Sequence, residues 1–464
     1  MFGLTWEKIV AAVQGKLEIT ADCPEPSRVC IDTRTLQKGD LFFALPGEKT
    51  DGHYFLKEAL EKGAGGAVVA YCPADFAVAD FPLIIVKDTV KALQQLAVAQ
   101  RNLFSGLVVG VTGSTGKTST KEMISAVLQE KWTVLKTAEN HNNELGLPLT
   151  ILDLKREDQV IVVEMGMRSL GEIDFLCRLS QPNYGVITNI GHTHEELLGS
   201  QERIAQAKAE IIAHLPAAGG LVLPHSAKNI LHPWLTKIRC PLLCFGLTAQ
   251  ADLSAQQICL RGEKGISFNL VYRGKEVGVI NLPLPGKHNV FNALAAIAAA
   301  KHLGLSWAEI KTGLEKVALP GMRLEFSKTA SGDVQVINDA YNANPDSMLS
   351  ALEVLQEVAR GKRAIGVLGE MYELGAYTEE GHLLVGRQAQ EKGLAYLVTV
   401  GKLGEIIARG AREAGMSKER VRSCLNNKEA LSCLQEIMQT GDVVLVKGSR
   451  GVKMEEIVAG LLSG

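Results

Sequence analysis

Seven consecutive residues, Gly113-Ser114-Thr115-Gly116-Lys117-Thr118-Ser119, have the types and spacing to hold a nucleoside triphosphate. Glycines at 113 and 116 let the backbone turn its N–H groups toward phosphate oxygens, and a helix starting near Lys117 adds partial positive charge. Lys117 can reach the β- and γ-phosphates, and the Thr118 hydroxyl can ligate Mg²⁺. One residue departs from the general pattern G-x-x-x-x-G-K-[ST]: its first glycine falls at position 111, which is valine.

Other candidates for chemistry lie downstream. Glu164 ends the apolar run VIVVE. In an open parallel sheet ligands gather beyond the carboxyl ends of strands, so a carboxylate there pairs naturally with Thr118 as a Mg²⁺ ligand. The plainer reading is a strand-end acid that caps the next helix. His192 and His194 follow the run YGVITNI at the same edge, and an H-x-H there raises the chemistry of a zinc hydrolase bridged by a carboxylated lysine. Lys208, in IAQAKAEII, reads by itself as a solvated helix lysine. Asn142 and Asn143 sit in a loop that could hydrogen-bond a substrate or could be a plain Asn-rich turn. Asn289 and Asn292, one helical turn apart, could grip an adenine edge or cap their helix. Asp339 ends a further strand, where carboxylates often hold ribose hydroxyls.

The chain that must position these residues has 464 of them, which suggests about three domains. Its 46% hydrophobic content supports several cores. A net charge of −2 gives no electrostatic reason to expect nucleic acid or an acidic membrane as partner. The N-terminus places Glu7 and Lys8 inside its apolar stretch, unlike a secretion signal, and no apolar run approaches the ~20 residues of a membrane span. Nine cysteines without framework spacing suit a reducing cytoplasm, and Cys240-x-x-x-Cys244, with no second pair nearby, reads as free thiols.

The pattern predicts an α/β protein of three domains. Residues 1–103 hold short strands (40–45, 67–70, 83–86) and end in a polar helix over 90–102. Residues 104–318 alternate strands such as 160–164 and 185–189 with helices such as 204–215, which predicts a mainly parallel sheet. An antiparallel hairpin across Arg273-Gly274-Lys275 is expected at its edge, followed by an Ala-rich helix over 289–303. Residues 319–464 open with a linker over 319–325 and carry strands at 334–338, 364–368, 396–400 and 443–447, a second, Rossmann-like α/β unit.

Taken in order, these segments resemble the Mur ligases, which build the peptide of the bacterial cell-wall precursor. The family loop T-G-[ST/N]-x-G-K-[TS] is matched by Thr112 to Thr118, which accounts for Val111. The further matches are NNELGLP (142–148), VVEMGMRSLGEI (162–173), ITNIGHTHEELLGSQERIAQAKAE (187–210), GKHNVFNALAA (286–296) and VLVKGSRG (444–451). Within the family, DTRTLQKGDLFFALPGEKTDGH (32–53) and DAYNANPDSM (339–348) favour the last-acting member. Gly369-Glu370-Met371 departs from the more usual Gly-Asp-Met but keeps the charge.

The resemblance implies a cytoplasmic, monomeric, ATP-dependent ligase that joins D-Ala-D-Ala to UDP-N-acetylmuramoyl-tripeptide through an acyl phosphate. It implies that Lys117 holds phosphates and that Thr118 and Glu164 bind Mg²⁺. His194 and a carboxylated Lys208 would bind a second Mg²⁺; His192 does not fall on the family's histidine position. Asn289 and Asn292 become adenine contacts, Asp339 and Tyr341 ribose and nucleotide contacts, and Arg323 a residue that meets ATP from the linker. Asp32-Thr33-Arg34 and Gly52-His53 would hold the UDP-sugar, and Lys447 to Arg450, Ser449 included, would lie near the dipeptide. The rival readings are a tripeptide-forming Mur ligase or folylpolyglutamate synthetase, the zinc hydrolase built on His192, His194 and Lys208, and a non-catalytic nucleotide-binding module.

Overall fold

The computed structural model describes residues 3–18, 23–47, 50–73, 76, 81–138, 140–191 and 198–463. Three sheets follow one another along the chain. The first has five strands in the order Lys16–Glu18, Leu83–Ile85, Gly66–Val69, Leu41–Phe43, Val29–Cys30, parallel except for the Lys16–Glu18 edge. The second has nine: Lys275–Leu282, Ile266–Tyr272, Leu253–Leu260, Leu242–Gly246, Gly220–Pro224, Tyr184–Ile187, Leu107–Thr112, Val160–Glu164, Val134–Lys136. The third has six, running Glu325–Lys328, Gln335–Asn338, Val443–Lys447, Ala364–Gly369, Tyr396–Val400, Val421–Cys424, with only the first antiparallel.

The central sheet is parallel through its middle and finishes in the expected antiparallel hairpin. Arg273 and Gly274 both take positive φ (48° and 76°), as a two-residue turn matched to strand twist requires. The Leu107–Thr112 strand lies between Val160–Glu164 and Tyr184–Ile187, so the chain switches direction in the sheet at this strand's carboxyl end. Val111 is still inside the ladder, opposite Glu164 and Val186, and fully buried. Position 111 is therefore core, and the turn starts at Gly113.

Apolar residues cover both faces of this sheet. Leu147, Ile151, Ile173, Leu176 and Ile211 pack on one side. Met123, Ile124 and Val127 of the Lys117–Leu128 helix pack on the other with the His288–His302 helix. The alanines of that helix, 293 through 300 apart from Leu294 and Ile297, are all buried, and their small side chains let the helix lie close to the sheet. The helix expected over 204–215 is instead an α-helix over Gln201–Ala209 continued by a 3₁₀ segment over Glu210–His214. All nine cysteines are free, and burial pushes the Cys244 thiol up to about 11. No helix among the described residues is long and apolar enough to cross a membrane.

The polar helix expected before the phosphate loop spans Thr89–Leu103, capped by Asp88, and it joins the first sheet to the second. Its buried Arg101 donates to the carbonyls of Ser180 (2.6 Å), Gln181 (3.1 Å) and Phe104 (3.0 Å). A buried guanidinium is tolerated because these acceptors replace its water. Arg101→Ala leaves them unpaired and should cost about 3 kcal/mol, the scale of a few charge-assisted hydrogen bonds. Lysine lacks the planar fork and should not restore stability. Thermal melting of both variants measures this; unchanged transitions would show that Arg101 does not bolt the two units together.

Candidate active site

The phosphate loop is fixed from three sides. Gly113 has φ 151°, and a Cβ there would stand 1.8 Å from Thr188 Oγ1. Gly116 takes φ 76° as the residue before the Lys117–Leu128 helix, with Asn292 Oδ1 2.4 Å from its would-be Cβ. Only glycine fits either place. The loop backbone is stapled to the next strand end: Thr115 N–H donates to Asn189 Oδ1 (2.8 Å), Asn189 Nδ2 to Thr115 Oγ1 (2.6 Å) and Thr188 Oγ1 to Thr115 O (2.6 Å). Ser114 Oγ accepts from Gly191 N–H at 2.9 Å. Thr188 and Asn189 thus shape the loop, a role sequence reasoning missed; their place after a strand at the loop's own edge was the available signal.

Lys117 curls over the loop and donates to Gly113 O (2.8 Å) and Ser114 O (3.4 Å). Burial lowers its pKa below the ordinary value; the Glu164 carboxylate opposes this and the Arg323 charge adds to it. Glu164 is 3% exposed. Its Oε1 accepts from Asn142 Nδ2 at 2.8 Å, while Oε2 is buried with no hydrogen-bond partner among the described residues. Glu164 ends the strand paired with the phosphate-loop strand, and its unpaired buried oxygen and the buried Thr118 hydroxyl are both of the oxygen type a hard divalent cation takes, so the two residues fit Mg²⁺.

Lys208 overturns its reading as a solvated lysine: it is 1% exposed. Burial pushes its ammonium well below the ordinary value, and the charge of Lys117 pushes the same way. The reason is tertiary, since its helix packs this face against the protein. His192 and His194 lie outside the described residues, as does any test of an H-x-H pair. Among the described residues no group of three or more His, Cys, Asp or Glu side chains could hold a metal.

From the C-terminal side the linker reaches the same place. Met322 and Leu324 take left-handed φ of 61° and 48°, a strained conformation for non-glycine residues, on either side of Arg323. Leu324 N–H donates to Asp339 Oδ1 (3.2 Å) and Tyr341 N–H to Met322 O (3.1 Å). Arg323 lies over the Tyr341 ring at 4.2 Å, and its Nε is buried without a hydrogen-bond partner among the described residues. Arg323, Asp339 and Tyr341 are therefore brought together, near enough to Lys117 for Arg323 to depress it.

Several expected ligand contacts also have internal partners. Asn289 is fully buried, donating to Pro285 O (2.7 Å) and accepting from Asn292 Nδ2 (3.0 Å); it holds Asn292 against the loop. Asn143 caps the turn before the Gly146–Leu152 helix through Leu145 N–H and Gly146 N–H, whereas Asn142 does reach the site. Lys447, expected beside a dipeptide, is buried and paired with Asp339 Oδ2 at 2.6 Å. Ser449 Oγ accepts from Tyr372 N–H at 2.9 Å and knits strand-end loops together. In the first sheet Arg34 chelates Asp32 (2.6 Å), Thr33 is buried, and Gly52 packs on the Leu45 backbone. Buried His53 accepts from Ala70 N–H (2.8 Å), so its Nδ1 proton goes to Asp51 at 2.6 Å.

This is the site of a nucleotide-binding enzyme: a phosphate loop, a buried carboxylate with one unpaired oxygen, and a second α/β unit whose linker arginine reaches the loop's lysine. Comparison with known proteins agrees. Residues 26–101 match the Mur ligase family catalytic domain, 111–300 the Mur ligase middle domain and 322–450 the Mur ligase glutamate ligase domain. The chain belongs to the Mur ligase family. It is 40% identical over 438 residues, 94% of this chain and 93% of the relative, to the UDP-N-acetylmuramoyl-tripeptide–D-alanyl-D-alanine ligase of Bacillus subtilis (strain 168). A crystal structure of MurF from Acinetobacter baumannii superposes with a TM-score of 0.86 at 32% identity, covering 99% of each chain. MurF ligase from Thermotoga maritima in complex with ADP superposes at 0.78 and 26% identity, over 94% of this chain and 96% of that one.

Gly113→Ala should weaken ATP binding by about tenfold or more, a loss of roughly 1.4 kcal/mol or above, because the new methyl must displace Thr188. Nucleotide titration measures this; unchanged affinity would separate the loop's geometry from binding. A second expectation concerns acid. His288 lies between the second and third sheets' residues, and burial lowers its pKa to about 4; Asp339 and Glu353 oppose the shift and Lys447 aids it. Between pH 4 and 6.5 the unfolded chain binds a proton that the native one refuses, so stability falls as pH drops through that window. Denaturation midpoints should show this slope in the wild type and a shallower one in His288→Gln.

Proposed function

We propose that this chain joins D-Ala-D-Ala to UDP-N-acetylmuramoyl-tripeptide with cleavage of ATP to ADP and phosphate. The observation that carries the reading is the full-length identity to ligases bearing that activity; the nucleotide site supplies the chemistry it needs. The tripeptide's terminal carboxylate oxygen attacks the γ-phosphorus, ADP leaves, and an acyl phosphate forms. The dipeptide's amine nitrogen then attacks the acyl carbon, and the tetrahedral intermediate expels inorganic phosphate as the amine loses its proton. A carboxylate resists attack by an amine until its oxygen becomes a good leaving group, and the phosphoryl group provides that.

The proposed parts are as follows. The 113–119 loop and Lys117 hold the β/γ-phosphates, and the helix dipole favours their charge. Thr118 and Glu164 would hold one Mg²⁺, with Asn142 orienting the carboxylate; His194 and a carboxylated Lys208 would hold a second. Bound there, a divalent cation supplies the neutralisation two approaching anions require. Lys208 suits carboxylation because its lowered pKa leaves more of the neutral amine that can attack CO₂ to give a carbamate and a proton. Asn292 meets the adenine with Asn289 positioning it, while Arg323, Asp339 and Tyr341 meet the nucleotide from the C-terminal side. Asp32 to Arg34 and Gly52-His53 shape the UDP-sugar site, His53 by ordering the loop rather than by a free imidazole. Lys447 and Ser449 order the dipeptide side. Domains over 1–103, 104–318 and 319–464, a monomer and a cytoplasmic setting complete the proposal.

Phosphate release should require UDP-N-acetylmuramoyl-tripeptide, ATP and D-Ala-D-Ala together; release that persists without either peptide substrate would overturn the assignment. Lys208→Ala should lower kcat by about 10²-fold or more, the scale of removing one fixed electrostatic stabiliser. The variant should keep its fold by circular dichroism. Activity equal to wild type would remove the carbamate from the mechanism.

A further inference from the structure

Lys121 is a lysine that the phosphate-loop chemistry does not use, and it is buried as completely as Lys208. It lies one helical turn beyond Lys117 on the same helix and three residues after Thr118. Its Nζ donates to Thr137 O at 2.6 Å and pairs with Glu122 Oε1 at 3.0 Å; the other oxygen of Glu122, also buried, meets Lys136. Thr137 is fully buried between this helix and the Val160–Glu164 strand. Its N–H donates to Val162 O (3.0 Å), and its Oγ1 accepts from Glu164 N–H (2.9 Å).

These bonds form one path from the phosphate-loop helix to the acidic strand end. Thr118 and Glu164 belong to different elements, so their separation depends on how helix and strand are held. Lys121 and Thr137 hold them, and Asn142 sets the rotation of the carboxylate. A buried ammonium costs solvation, and apolar packing would join helix to sheet more cheaply. What a bonded lysine adds is a fixed position.

We propose that Lys121 and Thr137 are positioning residues that set the Thr118–Glu164 pair for a divalent cation. This rests on the reading of that pair as the Mg²⁺ site. The test is binding of fluorescent mant-ADP to the full chain with and without Mg²⁺. Wild type should bind more tightly with Mg²⁺. Thr137→Val, which keeps shape and loses the hydroxyl acceptor, should forfeit about tenfold of that gain, the lower end of the loss for residues that orient metal ligands, and should bind ADP unchanged without Mg²⁺. Thr137→Ser should restore the gain, and Lys121→Met should lose it. Stabilities come from thermal melts, and Mn²⁺ paramagnetic resonance on the ADP complex reads the cation directly. If wild type gains nothing from Mg²⁺, the Thr118–Glu164 reading fails. If wild type gains and both Thr137→Val and Lys121→Met keep the whole gain, or lose ADP affinity equally with and without Mg²⁺, the positioning role is overturned.

Discussion

Positive charge crowded around the phosphate-loop lysine governs this structure. Arg323 and Lys208 each lie close enough to Lys117 for their charges to act on one another, Glu164 faces Lys117 as the opposing charge, and burial lowers Lys117 and Lys208 against their ordinary values. Cations taken from water cost free energy unless anions or acceptors answer them. Glu164 answers only partly, with one oxygen held by Asn142 and the other unpaired. An arrangement so rich in donors is completed by a ligand that brings several negative oxygens, which a nucleoside triphosphate does.

The scaffold fixes these groups by strand pairing and by side-chain hydrogen bonds to the backbone. The phosphate loop hangs from a strand flanked by two others, and the strand-end residues Thr188 and Asn189 bond it at Thr115. The C-terminal unit adds Arg323 through a linker whose neighbouring residues are strained into left-handed φ. Further bonds join the two units away from the loop: Glu357 accepts from Gly262 N–H at 3.0 Å, and Arg168 pairs with Glu373 at 3.4 Å. The latter pair is exposed and worth little to stability.

How much of this the sequence disclosed follows from the range of each interaction. The loop was legible because glycine at 113 and 116 and the following Lys-Thr act within a few residues. The hairpin was legible because alternation and a two-residue turn are local as well. Lys208 was legible only through the family resemblance: by itself one helix lysine resembles another until the fold decides which face is buried. Lys447 and Asp339 read as two ligand contacts, whereas the parallel pairing of their strands sets them side by side. Nothing local to His53 announces that Ala70 N–H will bond its ring. Sequence reasoning succeeds where partners are near along the chain and fails where a sheet brings distant ones together.

Val111 shows both cases in one residue. As a motif mismatch it counts against a phosphate loop, because a glycine-first loop leaves its strand earlier. In the fold it is the last but one ladder position of a strand buried from Val108 onward, opposite Glu164, where a β-branched apolar side chain packs well. Carrying the strand through Thr112 brings the turn out level with the Glu164 end of its neighbour. The residue that spoils the general pattern thus sits in register with the carboxylate that ends the neighbouring strand. A glycine there would loosen the strand whose end both groups share.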